Sequence, residues 1–175
     1  LFKTNKNNLF LLYSRMIQAI TETPFSVYIN TEANRIDTSV ASTQIRHLMK
    51  FTNDLDGAEF YAYAVTETIT NRYTLLTFSY NTTPNIYSGL TKLLPAGYYK
   101  YEAWEVAWSG VVTVSAGNAP ANETDVLSPP ASTKGIVQGL VAIGKLNLSE
   151  KSGTEQVQYV QRQEPSSTNY IWYGQ

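Results

Sequence analysis

Alternation of apolar and polar residues is the sequence feature that most constrains the fold of this chain. In the segment PFSVYINTE (24–32), every second residue is apolar, namely Phe25, Val27 and Ile29. Successive side chains of a β-strand point to opposite faces, so a period of two places these three residues on one side. The segment therefore predicts a strand with one buried face and one polar face.

The same alternation recurs along the chain, and turn residues separate the segments. Asn, Asp and Gly in NDLDG (53–57) favour a tight turn, which predicts a hairpin between the segments on either side. The chain also holds 13 Tyr among many Val, Ile and Thr residues, a composition typical of strands. Further strands are predicted at 47–54, 58–67, 71–80, 97–106, 139–149, 155–163 and 169–175. This rhythm predicts an all-β protein, an antiparallel β-sandwich of Ig-like or jelly-roll-like type.

Two regions depart from the alternation. Residues 9–20 fit either a helix or a strand, and we favour a strand at 9–14. Residues 109–135 are rich in small residues and proline, and a connection of this length within one domain is commonly functional or mobile. A solvent loop and an arm that contacts another subunit both remain open for this segment.

The length of 175 residues suits one domain with a core. We predict a β-sandwich over 47–175, with its long loop at about 109–135. Residues 1–46 are predicted to be an extended N-terminal arm, or added strands, that reaches a neighbouring subunit. On this prediction, deletion of 1–46 leaves the sandwich folded and abolishes assembly.

Charge and composition exclude several classes of function. The net charge is −1 and no run of Lys or Arg occurs, which argues against a surface that follows nucleic-acid phosphates. No segment approaches the roughly 20 apolar residues of a membrane-spanning helix. Cysteine is absent, which excludes disulfides, thiol nucleophiles and zinc–thiolate sites. We therefore expect no direct nucleic-acid binding and no membrane segment.

The residues for acid–base or nucleophilic chemistry are sparse. His47 is the single histidine, and the G-x-S-x-G motif of a serine nucleophile does not occur. Glu102 and Glu105 are three residues apart, so one strand points them to opposite faces and they do not form a catalytic pair. A cross-strand pair such as Glu67 with Glu102 stays open. We predict no catalytic residues.

Metal and cofactor motifs are also incomplete. Asp54, Asp56 and Gly57 resemble the start of an acidic calcium loop, but Val65 stands where the twelfth-position Glu is required. A type I turn is the better interpretation. GLVAIGK (139–145) lacks the spacing of a phosphate-binding loop. We therefore predict no metal site and no cofactor.

The segment GYYKYEAWEV (97–106) has the densest set of aromatic residues. Its alternation places Tyr99, Tyr101 and Ala103 on one face, which we predict to be core. The opposite face is half polar and suits contact with another subunit. Together with two further tryptophans it forms the predicted interface, which consists of Tyr98, Lys100, Glu102, Trp104, Trp108 and Trp172.

Five segments occur in an order that resembles a known group. Together they resemble small β-rich virion proteins of tailed phages that infect Bacteroidetes, including the crAss-like phages. The resemblance covers roughly residues 47–175, except for the longer loop at 109–135. The segments are FTNDLDGAEFYAYA (51–64), NRYTLLTF (71–78), LPAGYYKYEAWE (94–105), GLVAIGKLNL (139–148) and NYIWYG (169–174).

The resemblance implies a non-enzymatic structural subunit of a virion, assembled in the host cytoplasm. An auxiliary, or decoration, protein that clamps major capsid subunits is the first expectation, and a subunit of a head–tail connector ring is the alternative. The partners would be the major capsid protein or portal and ring proteins, together with copies of the chain itself.

Two other functions remain as hypotheses from different classes. A carbohydrate-binding adhesion module requires aromatic rings that face solvent, because flat sugar faces stack on them. The rings available for such a platform are Tyr99, Tyr101, Trp104, Trp108 and Trp172, and their burial would argue against it. A small hydrolase built around His47 is the least favoured function.

Overall fold

The structure is a computed structural model and describes residues 16–151. Short 3-10 helices interrupt the connections at Glu32–Asn34, Ser42–Gln44 and Ile86–Ser88. The strands within the described range are β1 (Ile17–Ile20), β2 (Phe25–Ile29), β3 (Ile45–Asn53), β4 (Glu59–Tyr63), β5 (Thr66–Ile69), β6 (Thr74–Tyr80), β7 (Leu90–Thr91), β8 (Gly97–Ala107) and β9 (Ile136–Ser149). The prediction of an all-β protein is confirmed.

The strands form two sheets. Sheet A has the order β1-β9-β8-β3-β4, and sheet B has the order β2-β6-β5, with β7 also paired to β6. Neighbouring strands are antiparallel except for β1 with β9 and β6 with β7, which are parallel. The longest pairing joins β8 to β9, and two register shifts interrupt it.

Most predicted strands occur close to their predicted positions, with one exception. The predicted strand at 58–67 divides into β4, in sheet A, and β5, in sheet B. The chain changes sheets at Val65, whose N–H donates to the carbonyl of Thr77 in β6. The alternation is continuous over 58–67, so it does not reveal that the two halves of this segment pair with strands of different sheets. The strands predicted at 9–14, 155–163 and 169–175 lie outside the described residues.

The facing sides of the two sheets share one apolar core. Phe78 of sheet B stacks on Phe25 with ring centroids 5.2 Å apart, and it meets Phe51 of sheet A edge-on at 5.8 Å. Burial of each such side chain contributes about 1.5–3 kcal/mol to folding. The fully buried contributors include Val27 and Leu76 from sheet B and Met49, Phe51, Tyr99, Tyr101 and Ala103 from sheet A.

A second apolar cluster lies on the outer face of sheet A, beneath the segment 109–135. Leu48, Tyr63 and Trp108 are buried there against Ala119 of that segment. The Tyr63 hydroxyl donates to the carbonyl of Pro120 at 2.8 Å, and burial raises the pKa of this phenol. The long loop is therefore packed on the sheet.

The N-terminal part of the described chain is built into both sheets. β1 pairs with β9 in sheet A, and β2 pairs with β6 in sheet B. The domain boundary predicted between residues 46 and 47 lies inside β3. Residues 17–46 therefore belong to the same packed unit as the strands that follow them.

Residues 16–151 contain no helix with the length and hydropathy needed to cross a membrane.

Candidate functional site

The face predicted to be an interface on β8 becomes progressively more covered along the strand. Tyr98 is 55% exposed, whereas Trp104 is half-buried and packs against the outer cluster of sheet A. Between them, Lys100 and Glu102 form an ion pair at 2.7 Å. The opposite face, with Tyr99 and Tyr101, is buried in the core as predicted. Only the Tyr98 end of this face is open to a partner.

Trp108 does not belong to an exposed surface, which corrects the prediction for this residue. The segment 109–135 folds back over its ring and leaves it fully buried. Gly135 makes this approach possible, because a Cβ at that position would lie 2.6 Å from the indole. The sixth predicted residue, Trp172, lies outside the described residues.

A lysine holds the loop 109–135 to sheet A. Lys50 of β3 is paired with Glu123 of the loop at 2.6 Å and with Glu59 of β4 at 2.8 Å. Burial disfavours the charged ammonium, but these carboxylates outweigh that cost and raise the pKa of Lys50. Burial likewise opposes the charge on Glu123, and the hydrogen bond from Lys50 overcomes it and lowers the pKa of that carboxyl. Both groups are therefore charged at neutral pH.

His47 lies in the interior between the sheets. Its side chain is 2% exposed, and its Nδ1 lies 2.5 Å from Oε1 of Glu67, a residue of β5. The pair thus connects β3 of sheet A with β5 of sheet B. The partner of the ring is a carboxylate in the core, and no hydrogen bond to a serine hydroxyl is present among the described residues.

Glu67 and Glu102, which the sequence allows as a facing cross-strand pair, lie on opposite sides of sheet A. Glu67 faces the core and is bonded to His47, whereas Glu102 is on the outer face beside Lys100. A glycosidase needs two carboxylates that face each other across a shared cleft. Glu67 and Glu102 do not, so they do not form a catalytic pair of this kind.

Glu105 has a structural contact that the sequence did not indicate. The residue is 1% exposed, and its two carboxylate oxygens accept the backbone N–H groups of Ile36 at 3.0 Å and Asp37 at 2.8 Å. A buried carboxylate needs such donors, because an unpaired one is costly. Glu105 therefore anchors the connection between β2 and β3.

The turn predicted at NDLDG joins β3 and β4. The side chain of Asn53 accepts the N–H of Leu55 at 2.7 Å, and Gly57 takes a positive φ of 74°. Asp54 pairs with Lys145 of β9 at 2.6 Å. These contacts fit the turn interpretation, with the aspartate engaged by a neighbouring strand.

The outer face of sheet B carries the most open aromatic surface among the described residues on strands. Its cross-strand rows are Tyr28–Leu75–Thr68 and Ser26–Thr77–Thr66, and none of these side chains is charged. Tyr28 is 61% exposed, and its ring lies 5.7 Å from that of Tyr73, which is 43% exposed. We call this surface, together with Tyr73, the sheet B outer face.

The alternation in the sequence already contained part of this surface. It placed Tyr28 opposite Val27, and it placed Tyr73 and Leu75 on one side of the next predicted strand. The pairing register of β2 with β6 was needed to show that these residues are neighbours. The sequence alone favours β8, because the aromatic density of that segment is higher.

Comparison with known proteins identifies no relative. No protein-family model matches the chain, and no curated protein or solved structure matches it at a significant level.

Proposed function

We propose that this chain is a non-enzymatic structural subunit of a tailed-phage virion, an auxiliary capsid protein that docks on major capsid subunits. The observation that carries the proposal is the sheet B outer face, an open and uncharged surface with two exposed tyrosines. The sequence segments that resemble phage virion proteins are the reason for proposing a tailed-phage particle.

The two outer faces of the protein differ in a way that favours docking through sheet B. The outer face of sheet A is occupied by the chain's own segment 109–135, fixed by Trp108 and Lys50. The strand residues of the sheet B outer face have no comparable cover among residues 16–151. Protein interfaces are depleted in charge at their centres and enriched in Tyr, and such aromatic anchors dominate binding.

The fold that we propose for this subunit is a β-sandwich of Ig-like or jelly-roll-like type. The shared core between sheet A and sheet B supports a sandwich, because two sheets packed face to face bury their alternating inner residues in this way. Such a module presents rigid faces to its neighbours. Many copies on one particle then multiply weak contacts.

Particles of the phage that encodes the chain provide the test. Quantitative mass spectrometry of purified particles should find the chain at a constant ratio to the major capsid protein. Cryo-EM reconstruction should then place the sheet B outer face against capsid subunits. Absence of the chain from purified particles would reject the proposal.

A subunit of the head–tail connector is the alternative position within the same particle. The sheet B outer face could equally contact neighbouring subunits in a connector ring. The symmetry of the density for the chain therefore decides between the connector and the capsid surface. Density for the chain in a closed sixfold or twelvefold ring would assign it to the connector. Density over capsomer junctions would assign it to the capsid surface.

Carbohydrate binding is a second candidate, favoured by one observation. The exposed rings of Tyr28 and Tyr73 are adjacent, although an interplanar angle of 57° does not make one flat platform. Of the rings expected from sequence to form such a platform, Tyr99, Tyr101 and Trp108 are buried. A glycan array probed with the purified chain tests this function, and binding that survives Tyr28→Ser would exclude the sheet B outer face as the site.

A further inference from the structure

A cavity of about 480 Å³ lies between the segment 109–135 and the start of β9. Its volume falls within the range of roughly 300–1,000 Å³ that small-molecule sites occupy. Most of its wall is apolar, and two of its residues are themselves strongly exposed, Val126 at 86% and Ile136 at 62%. The apolar lining consists of Val126, Leu127, Pro130, Ala131, Ile136 and Val137.

The charged groups in the wall have a negative surplus. Glu123, Asp125 and Lys134 line the cavity. The ammonium group of Lys134 donates to the carbonyl of Ser128 at 3.0 Å. When the neighbouring pair of Lys50 with Glu59 is included, three carboxylates face two ammonium groups.

The two carboxylates of the wall differ in how open they are to a ligand. Glu123 is already engaged, because its Oε1 accepts from Lys50 at 2.6 Å and its Oε2 is buried away from solvent. Oδ2 of Asp125 accepts the N–H of Ala121 at 2.9 Å. The half-buried carboxylate of Asp125 is therefore the acidic group that a ligand in the cavity can reach, and a cationic donor forms a charge-assisted hydrogen bond with it.

We propose that this cavity is a binding site for a small organic cation with an apolar body, an alkylammonium or arylammonium. The apolar walls remove the body of the ligand from water. The carboxylate of Asp125 receives the N–H donors and the positive charge, and charge-assisted hydrogen bonds are stronger than those between neutral groups. An anion of the same shape should bind more weakly, because the charged groups around the cavity carry a net negative charge. The site does not depend on the virion function.

Three probes with the same ring and similar size test the inference on the full chain. They are 2-phenylethylammonium, neutral 2-phenylethanol and anionic 3-phenylpropionate, each titrated while amide and methyl NMR shifts are followed. We expect saturable binding of the cation, about fivefold tighter than the alcohol at low salt, with shifts centred on Val126 and Ile136. Added salt should reduce the difference. Equal affinity for the three probes, shifts centred elsewhere, or no saturation by the cation would overturn the inference.

Two substitutions test the volume of the cavity and the charge of its wall separately. Ala131→Trp fills the cavity and should abolish binding, whereas Ala33→Trp adds the same ring at an exposed position outside the lining and should leave it unchanged. Asp125→Asn keeps an acceptor oxygen and should reduce the preference for the cation over the alcohol about twofold or more. Thermal melts establish that each variant is folded. Unchanged binding by a folded Ala131→Trp variant would refute the site.

Discussion

At the residue scale, Trp108 shows how one side chain organises a long loop. It follows β8 directly, its backbone N–H donates to the carbonyl of Gln44 at 3.0 Å, and its ring is covered by the chain at Gly135. The indole Nε1 is buried without a hydrogen-bond partner among the described residues. Its contribution to folding therefore comes from the packed ring, since an unpaired N–H is unfavourable.

Substitutions at Trp108 should separate ring packing from the indole N–H. Trp108→Ala creates a cavity beneath the loop and should lower the free energy of unfolding by about 3–5 kcal/mol. Trp108→Phe keeps most of the ring contacts and removes the unpaired donor, so we expect a much smaller loss, about 1–2 kcal/mol. Urea denaturation monitored by circular dichroism measures both values. Equal losses for the two variants would contradict the packing argument.

At the element scale, the segment 109–135 and the N-terminal strands show what alternation does and does not predict. Strands β2, β3, β6, β8 and β9 are predicted because the alternation that marks a strand with one apolar face is a property of the local sequence. The docking of the loop depends on Lys50 and Tyr63 contacting Glu123 and Pro120, which lie far along the chain. No local pattern encodes that contact. For the same reason, the predicted interface includes Trp108, whose ring the loop covers.

The ion pair of Lys50 with Glu123 should make attachment of the loop dependent on pH. The folded protein lowers the pKa of Glu123 below its ordinary value of 4.5, so this carboxylate contributes stability above that pH. The contribution is lost as pH falls through the lower folded pKa. Glu123→Gln should therefore cost about 1 kcal/mol at pH 7 and progressively less below pH 4.5.

Urea denaturation of the wild type and the variant across this pH range measures the difference. Hydrogen exchange at the amide of Gly135, which donates to the carbonyl of Asn118, reports on the loop itself. Glu102→Gln is the matched control, because its partner Lys100 lies on the same strand and does not hold the loop. A stability difference for Glu123→Gln that stays constant down to pH 3 would refute the pH dependence.

Deletion of residues 1–46 should unfold the protein instead of merely blocking assembly. The deletion removes β1 and β2, and with them the buried side chains of Ile17, Val27 and Ile29. At about 1.5–3 kcal/mol for each side chain, their loss costs roughly 5–9 kcal/mol, which is comparable to the whole stability of a typical domain, about 5–15 kcal/mol. Circular dichroism and thermal melts test this expectation. A cooperative transition near that of the full chain would show that the core does not need these strands.

At the scale of the whole molecule, the four faces of the two sheets have three different roles. The inner faces form the core, the outer face of sheet A carries the chain's own loop, and no segment within residues 16–151 covers the sheet B outer face. The sequence shows alternation on every strand but does not distinguish a face that the chain covers from a face that it leaves open. That distinction is the one on which the proposed contact with capsid subunits depends.

Adjacent residues of β2 allow folding and docking to be tested separately. Val27 is fully buried and Tyr28 is 61% exposed, so one substitution at each position addresses opposite faces of the same strand. Val27→Ser should lower the free energy of unfolding by about 2–4 kcal/mol, through lost burial and a buried hydroxyl. Tyr28→Ser should change stability by less than about 1 kcal/mol, because its ring is mostly in water.

The proposed contact predicts a different order of effects in assembled particles. Phage particles produced with Tyr28→Ser should contain at most about a tenth of the wild-type amount of the chain, because truncation of an interface anchor costs about 2 kcal/mol or more of binding. Tyr98→Ser is the matched control, since Tyr98 is similarly exposed, at 55%, but lies on the outer face of sheet A. It should be incorporated normally. The opposite result, in which Tyr98→Ser abolishes incorporation and Tyr28→Ser does not, would assign the contact to β8. The comparison is direct, because the same substitution is made on two different sheets.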